Sequence, residues 1–215
     1  MDVICVLRSG GGYDAEWVRK LRDGVARNLT IPHRFRCLSD VDVPCERIPL
    51  EHDWPGWWSK IELFKPGVIT GPTLYLDLDT VITGPLDEIA KIGYPFAALR
   101  NFHQPDFIGS GVMWFRDADT VPHRVYEKFC KQPEAYMAHH ERVKVGSHLG
   151  DQAFIWDTLR EMGVEIPFLT DEFKGVYSYK YSARSYLPED AKIICFHGEP
   201  RLHTVKSPWI VENWV

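Results

Sequence analysis

Residues 72–82 read PTLYLDLDTVI, an apolar stretch that runs into two aspartates, Asp77 and Asp79, one residue apart. The residues before them are typical of a buried β-strand. Because alternate side chains of a strand share a face, we expect both aspartates to point the same way where the strand ends. Carboxylates this close repel each other unless a cation lies between them, and Mg²⁺ and Mn²⁺ prefer oxygen ligands. The pattern predicts a divalent metal site that holds phosphate, although an Asp at a strand end can also cap a helix or stay solvated.

Composition limits the class of protein. The chain has 215 residues, 45% of them hydrophobic, and no Ser-, Gly- or Pro-rich linker divides it, so we expect one domain with a substantial core. A formal charge of -5 argues against a nucleic-acid partner. Five cysteines without Cys-x-x-Cys spacing indicate reduced, mostly buried thiols. With no secretory signal pattern and no run of roughly 18 apolar residues, we expect a cytoplasmic protein without an integral membrane segment, at most peripheral at a membrane.

Strand-like and helix-like patterns alternate along the chain. The first half predicts strands at 3–7 and 33–38, a helix from Asp14 to about residue 29, and a helix at 57–65 before the strand that carries Asp77. This β-α-β-α-β order is typical of an α/β fold with a mostly parallel central sheet flanked by helices. Ligands of such sheets bind at the carboxyl ends of the strands, where both aspartates fall. The second half predicts strands at 96–100, 111–115 and 193–196, and helices at 119–131 and 151–162.

Four segments in order resemble a known family. Residues 75–88 resemble the Asp-x-Asp region of nucleotide-sugar glycosyltransferases with the GT-A fold, most of all the retaining group that includes glycogenin and lipopolysaccharide galactosyltransferases. Residues 107–115 are similar to its Asn-x-Gly-Val-Met strand, with Ser110 departing from the usual small residue. Residues 150–154 resemble its Asp-Gln helix start, and 196–209 a stretched and altered form of its His-x-x-Gly-x-x-Lys-Pro-Trp segment. The resemblance extends from about Val3 to Trp209.

The resemblance implies a single GT-A (Rossmann-like) domain over residues 1–215. Residues 1–83 would be the nucleotide-binding half, ending in the Asp-x-Asp motif, and residues 84–215 the half for donor sugar and acceptor. It implies a metal-dependent transfer of a hexose from a nucleotide diphosphate sugar, such as a UDP-sugar, with retention at the anomeric carbon. The acceptor would be a glycan, a lipid-linked molecule or a protein. Neither the sugar nor the acceptor follows from the sequence.

The resemblance also implies roles for individual residues, which fall into three groups. The Mn²⁺ (or Mg²⁺) ligands would be Asp77, Asp79 and His197, with His203 as a rival ligand because the spacing is altered. The residues beside the donor sugar and its anomeric carbon would be Asp151 and Gln152. The positions that bind the donor or its nucleotide would be Lys60, Asp77, Ser110, Gly198 and the phosphate-binding Lys206.

Ordinary structural explanations exist for several of these residues. An Asp at a helix start, such as Asp151, is most often an N-cap. His197 can be a hydrogen-bonded histidine at a strand end, and Lys60 and Lys206 can be solvated surface lysines. The adjacent Trp57 and Trp58 can stack on a sugar, but we expect them in the core.

A second function class fits the same aspartates. Residues 77–81 also match the first motif of haloacid dehalogenase-type phosphohydrolases, in which Asp77 would be the nucleophile and Asp79 an acid-base residue beside Mg²⁺. That motif normally opens its domain, whereas here a β-α-β-α unit precedes it, and the segment 197–209 has no role in that scheme. A protein that binds sugar nucleotides without catalysis is a third alternative.

Overall fold

The computed structural model describes residues 1–120, 122–142 and 149–215. Within them, the strands are β1 Asp2–Leu7, β2 Arg34–Ser39, β3 Glu46–Pro49, β4 Thr73–Leu76, β5 Thr80–Ile82, β6 Phe96–Arg100, β7 Ile108–Phe115, β8 Val176–Ser178 and β9 Ile193–Cys195. The α-helices are α1 Ala15–Asn28, α2 Arg124–Phe129, α3 Pro133–Arg142, α4 Gly150–Glu161, α5 Leu169–Glu172 and α6 Pro208–Asn213. Short 3-10 helices cover Gly56–Phe64, Asp87–Lys91, Ala118–Thr120 and Leu202–Thr204, and a π-helix covers Tyr179–Ala183.

The strands form two sheets. The larger has six strands in the order β3-β2-β1-β4-β7-β6, with the first four parallel to one another. β7 is antiparallel to both β4 and β6. The smaller has the order β5-β9-β8, with β9 antiparallel to β5 and parallel to β8. This architecture confirms the predicted α/β fold with a mostly parallel central sheet and flanking helices.

Helices and loops cover both faces of the larger sheet, and β4 shows why its sequence is continuously apolar. Leu74 and Leu76 pack into one buried cluster with α1 and the smaller sheet, whereas Tyr75 packs into a second cluster with the 3-10 helix Gly56–Phe64 and α4. A strand buried on both faces needs apolar residues at every position. Asp77 and Asp79 therefore come directly after a strand that is buried on both faces.

Most predicted elements are present, and the differences have local causes. Asp14 does cap α1, since its carboxylate accepts hydrogen bonds from the N–H groups of Glu16 and Trp17 at 3.0 and 3.4 Å. The helix predicted at 57–65 is a 3-10 helix over Gly56–Phe64. The helix predicted at 119–131 is shorter, because Pro122 cannot continue a helix and α2 begins only at Arg124.

Strands β3 and β8 were not predicted. β3 is a short, mostly exposed edge strand with the sequence ERIP, so it has no apolar run to reveal it. It pairs only with β2 at the border of the larger sheet. A Pro within such a sequence is tolerated at a sheet edge, where its missing N–H is not needed.

Two broader expectations concern membranes and thiols. In the ranges that the structure describes, no helix combines the length and apolar character needed to cross a bilayer. All five cysteines are free thiols, and Cys5, Cys37 and Cys195 are buried, as the sequence predicts. The division of the chain into a nucleotide-binding half, residues 1–83, and a half for donor sugar and acceptor, residues 84–215, stays a prediction.

Gly175 provides a stability test of the connection between α5 and the smaller sheet. It has a φ of +88°, and a Cβ atom there would overlap the carbonyl oxygen of Asp190. Gly163 has a similar φ of +69° but open space around its Cα. We expect Gly163→Ala to lower the free energy of unfolding by about 1–2 kcal/mol, from the strained φ alone. Gly175→Ala should lower it by about 1–3 kcal/mol more, because of the overlap. Urea unfolding of both variants measures this difference, and equal losses would contradict the packing around Gly175.

Candidate functional site

The two aspartates lie in a turn that carries the chain from one sheet to the other. β4 of the larger sheet ends at Leu76, and β5 of the smaller sheet begins at Thr80. The N–H of Asp77 donates to the carbonyl oxygen of Gly111 at 2.9 Å, which extends the antiparallel pairing with β7 by one residue. Strand alternation therefore applies to Asp77 but not to Asp79, which lies within the turn. As a result the two carboxylates have separate hydrogen-bond partners.

Asp77 is held by a buried lysine. Lys60 Nζ lies 2.9 and 3.2 Å from the two carboxylate oxygens of Asp77 and 3.0 Å from Asp151 Oδ2. The same ammonium donates to the hydroxyl of Ser110 at 3.0 Å. The Tyr75 hydroxyl also donates to Asp77. Four predicted site residues, namely Lys60, Asp77, Ser110 and Asp151, thus form one cluster, and we call these four the Lys60 cluster.

Lys60 is not a surface lysine, because only 5% of its surface is exposed. It lies on the 3-10 helix Gly56–Phe64, which packs against the larger sheet. Burial by itself would lower the pKa of Lys60, but the charges of Asp151 and Asp77 outweigh it and raise the pKa above its ordinary value. The ammonium therefore stays charged and links two carboxylates from different elements.

Asp151 does not act as a helix cap. Helix α4 begins at Gly150, and its cap residue is Leu149, which makes no side-chain cap hydrogen bond. The Asp151 carboxylate is buried and accepts a hydrogen bond from Ser110 Oγ at 2.6 Å in addition to the Lys60 contact. Gln152 follows it, half-buried. The helix therefore positions Asp151 toward the Lys60 cluster.

Asp79 has a different environment. Its Oδ2 accepts a hydrogen bond from the Tyr13 hydroxyl at 2.8 Å, and Tyr13 lies in the loop after β1. Burial, and then the negative charge of Asp77, raise the pKa of Asp79 to about 7. Such a rise is the expected response of a carboxyl group that is buried beside a second carboxylate.

The donor set fits a hard divalent ion. Asp77 and Asp151 both contact the single buried ammonium of Lys60, so negative charge is in excess there, and Asp79 is a third carboxylate in the adjoining turn. In the described part of the chain, no three His, Cys, Asp or Glu side chains lie close enough together to hold a metal. Mg²⁺ is commonly bound by one or two carboxylates together with substrate phosphates and waters, so a pair of aspartates is compatible with such an ion, and metal binding by Asp77 and Asp79 stays a prediction.

His197 lies beside this region but does not join the aspartates. It follows β9, and the backbone N–H of its neighbour Phe196 donates to the carbonyl oxygen of Asp79 at 3.0 Å. Burial, and then the charges of Lys180 and His103, lower the pKa of His197 to about 4, so its imidazole is neutral at pH 7. A neutral imidazole can bind a metal, but its Nε2 lies 2.7 Å from Ser178 Oγ.

The other predicted residues of the C-terminal segment are His203, Gly198 and Lys206. His203 is exposed and packs edge-on against Trp17, with ring centroids 5.7 Å apart. Gly198 is exposed with a φ of +64°. Lys206 is exposed and makes no hydrogen bond or ion pair within the described ranges. Their roles in donor binding stay predictions, and none of the three contacts the Lys60 cluster.

Sequence reasoning missed three residues around the aspartates. Tyr75 could have been found, since strand alternation places it on the same face as Asp77. Tyr13 follows β1, the strand next to β4, so its position at the same sheet edge was also predictable. Arg201 donates from NH1 to the Tyr13 hydroxyl at 3.3 Å. No spacing in the sequence indicated that contact.

The two adjacent tryptophans lie in different environments, one buried and one exposed. Trp58 is buried, as predicted, and stacks on Phe129 with centroids 5.3 Å apart. Trp57 is 55% exposed, so the core prediction was wrong for it. Its indole lies over Gly150, where a Cβ atom would come within 2.7 Å of the indole nitrogen. Gly150 can accommodate both this contact and a φ of +64° because it has no side chain.

Comparison with known proteins identifies the fold. No protein-family model matches the sequence, and no curated protein matches it. The glycosyltransferase GlyE of Streptococcus pneumoniae TIGR4 matches with a TM-score of 0.70 and 15% identity over 99% of this chain. The galactosyltransferase LgtC, in complex with donor and acceptor sugar analogs, matches with a TM-score of 0.60 and 12% identity over 94%. The bifunctional glycosyltransferase WbbM matches with a TM-score of 0.55 and 12% identity over 98%.

These likenesses confirm the predicted glycosyltransferase-type fold. The chain spans 61% of the GlyE chain, 89% of the LgtC chain and 50% of the WbbM chain. At 15% identity and below, they show the fold alone.

Lys60 is the residue on which the cluster's stability should depend. Lys60→Met leaves the Asp77 and Asp151 carboxylates without their buried counter-ion, so we expect a loss of about 3–5 kcal/mol in the free energy of unfolding. Adding Asp151→Asn removes one uncompensated charge, so the double variant should lose at least about 1 kcal/mol less than the sum of the single losses. Urea denaturation measures all three variants.

The exposed Lys91 provides the matched control. Lys91→Met should change stability by less than about 0.5 kcal/mol. Additivity of Lys60→Met and Asp151→Asn within about 0.5 kcal/mol would mean that the two groups do not interact.

Proposed function

We propose that this chain is a metal-dependent glycosyltransferase that moves a hexose from a UDP-sugar to a glycan, lipid-linked or protein acceptor, with retention at the anomeric carbon. The observation that carries the proposal is the position of the Lys60 cluster. It lies at the carboxyl end of β4, next to Asp79, in a fold shared with glycosyltransferases. That strand end is where ligands bind in open α/β sheets.

In this proposal Asp77 and Asp79 hold Mn²⁺ or Mg²⁺, and His197 is a candidate additional ligand. When bound, the ion would supply positive charge to the diphosphate that leaves the sugar. The residues of the chain bind and orient the donor around it. Lys60 and the Tyr75 hydroxyl fix the position of the Asp77 carboxylate.

Asp151 and Gln152 are assigned to the donor sugar. Lys60 and Ser110 both contact Oδ2 of Asp151, which leaves the other oxygen for sugar hydroxyls. A carboxylate neutralised in this way is a weak nucleophile, so we assign Asp151 to binding and positioning. Retention would then proceed by front-face attack of the acceptor.

Metal-dependent nucleotide binding tests the proposal. Titration calorimetry should show that UDP binds in the presence of Mn²⁺ and far more weakly without it, because two carboxylates repel a diphosphate unless a cation separates them. Asp79→Asn should lower the metal-dependent affinity at least about 100-fold, equivalent to about 2.8 kcal/mol.

Asp171→Asn is the control for this experiment, since Asp171 lies on α5 and pairs with Arg100 at the surface. It should leave the affinity for UDP unchanged. Undiminished metal-dependent binding of UDP to Asp79→Asn would rule out the assignment of Asp79.

A further measurement separates the transferase from a haloacid dehalogenase-type phosphohydrolase. We expect slow release of UDP from a UDP-sugar without acceptor, with water substituting poorly, and no phosphate on Asp77. Mass spectrometry after incubation with a phosphate ester would detect an aspartyl-phosphate, and its presence on Asp77 would favour the phosphohydrolase.

A further inference from the structure

Arg201 is linked to the metal-site aspartates by a short chain of contacts. Asp79 Oδ2 accepts from the Tyr13 hydroxyl at 2.8 Å, and the Tyr13 hydroxyl accepts from Arg201 NH1 at 3.3 Å. A single hydroxyl group therefore separates the guanidinium from the carboxylate of Asp79. The contact joins the loop after β1 to the C-terminal segment, 188 residues apart in sequence.

We propose that Arg201 binds the diphosphate of the donor and stabilises it as it leaves, in the role that the sequence resemblance gave to Lys206. This inference rests on the proposed function. Asp79 would hold the ion together with the diphosphate, and Arg201 is a cation linked to Asp79 through the Tyr13 hydroxyl. Lys206, by contrast, is exposed and contacts none of the described site residues.

The backbone of Arg201 is fixed while its side chain keeps donors available. Its neighbour Leu202 is buried at 1% exposure, and the N–H and hydroxyl of Thr204 both donate to the Arg201 carbonyl oxygen, at 3.0 and 2.7 Å. Of the guanidinium nitrogens, NH1 contacts Tyr13 and Nε contacts Glu199 at 3.3 Å. The described residues give NH2 no partner. An arginine carries five N–H donors, so several remain for phosphate oxygens.

The charge balance also favours a second cation here. The negative charges of Asp77, Asp79 and Asp151 together exceed the single positive charge of Lys60. A bound divalent ion would compensate that excess and leave no positive charge over. The charge of a diphosphate would then need its own counter-ion. A planar guanidinium matches two phosphate oxygens at once, and the exposed Glu199 competes weakly because surface ion pairs are worth little.

The test compares three ligands in the presence of Mn²⁺, namely UDP, uridine and inorganic pyrophosphate. For Arg201→Ala we expect at least a 10-fold loss of affinity, about 1.4 kcal/mol, for UDP and for pyrophosphate. Any affinity for uridine should be unchanged, because uridine has no phosphate. Arg201→Lys should recover part of the loss, since it restores the charge without the planar fork. Calorimetry provides all of these affinities.

Arg160→Ala is the matched control, because Arg160 is an exposed arginine nine residues beyond Asp151 on α4, about 14 Å along the helix. It should leave all affinities unchanged. Equal affinity of wild type and Arg201→Ala for UDP and pyrophosphate would overturn the role of Arg201 while leaving the glycosyltransferase proposal intact. A larger loss in Lys206→Ala than in Arg201→Ala would return the role to Lys206.

Failure of the proposed function would look different. If the wild type bound pyrophosphate with Mn²⁺ but no nucleotide, the donor assignment would be wrong, and the loss in Arg201→Ala would still support its role as a diphosphate ligand. If the wild type bound neither ligand, both proposals would be wrong.

Discussion

The buried ammonium of Lys60 imposes the constraint on which the candidate site depends. Removing a charge from water costs several kcal/mol unless its partners are close and well oriented. Here the partners come from three elements, the end of β4, strand β7 and helix α4, and they meet a lysine on a fourth, the 3-10 helix Gly56–Phe64. Satisfying Lys60 therefore fixes the relative positions of these elements.

The junction of the two sheets supplies the second constraint. The chain leaves the larger sheet at Leu76 and enters the smaller one at Thr80, so Asp77 and Asp79 lie where the sheets meet. β9 pairs with β5, and the N–H of Phe196 bonds to the Asp79 carbonyl oxygen. This pairing brings the C-terminal segment to the aspartates. It explains how Arg201 reaches Tyr13, whose hydroxyl donates to Asp79.

Local pattern was enough for much of the fold and part of the site. Apolar runs located β1, β4 and most other strands, and a capping Asp located the start of α1. The family resemblance selected Lys60, Ser110 and Asp151, which the structure brings together. The 3-10 helix was expected as an ordinary helix, because the two share a similar apolar pattern over nine residues. β3 escaped detection because a short exposed edge strand has little hydrophobic signal.

The sequence by itself determined the alternation of strands and helices, the strand that ends in two carboxylates, and the residue types from which a phosphate-binding metal site can be built. Each of these depends on neighbours in the chain or on spacing. Only the tertiary structure decided that Lys60 is buried between Asp77 and Asp151, that Trp57 is exposed over Gly150, and that Arg201 approaches Asp79. These outcomes depend on burial and on charges from distant segments, whose energies exist only once the two sheets and α4 have packed together.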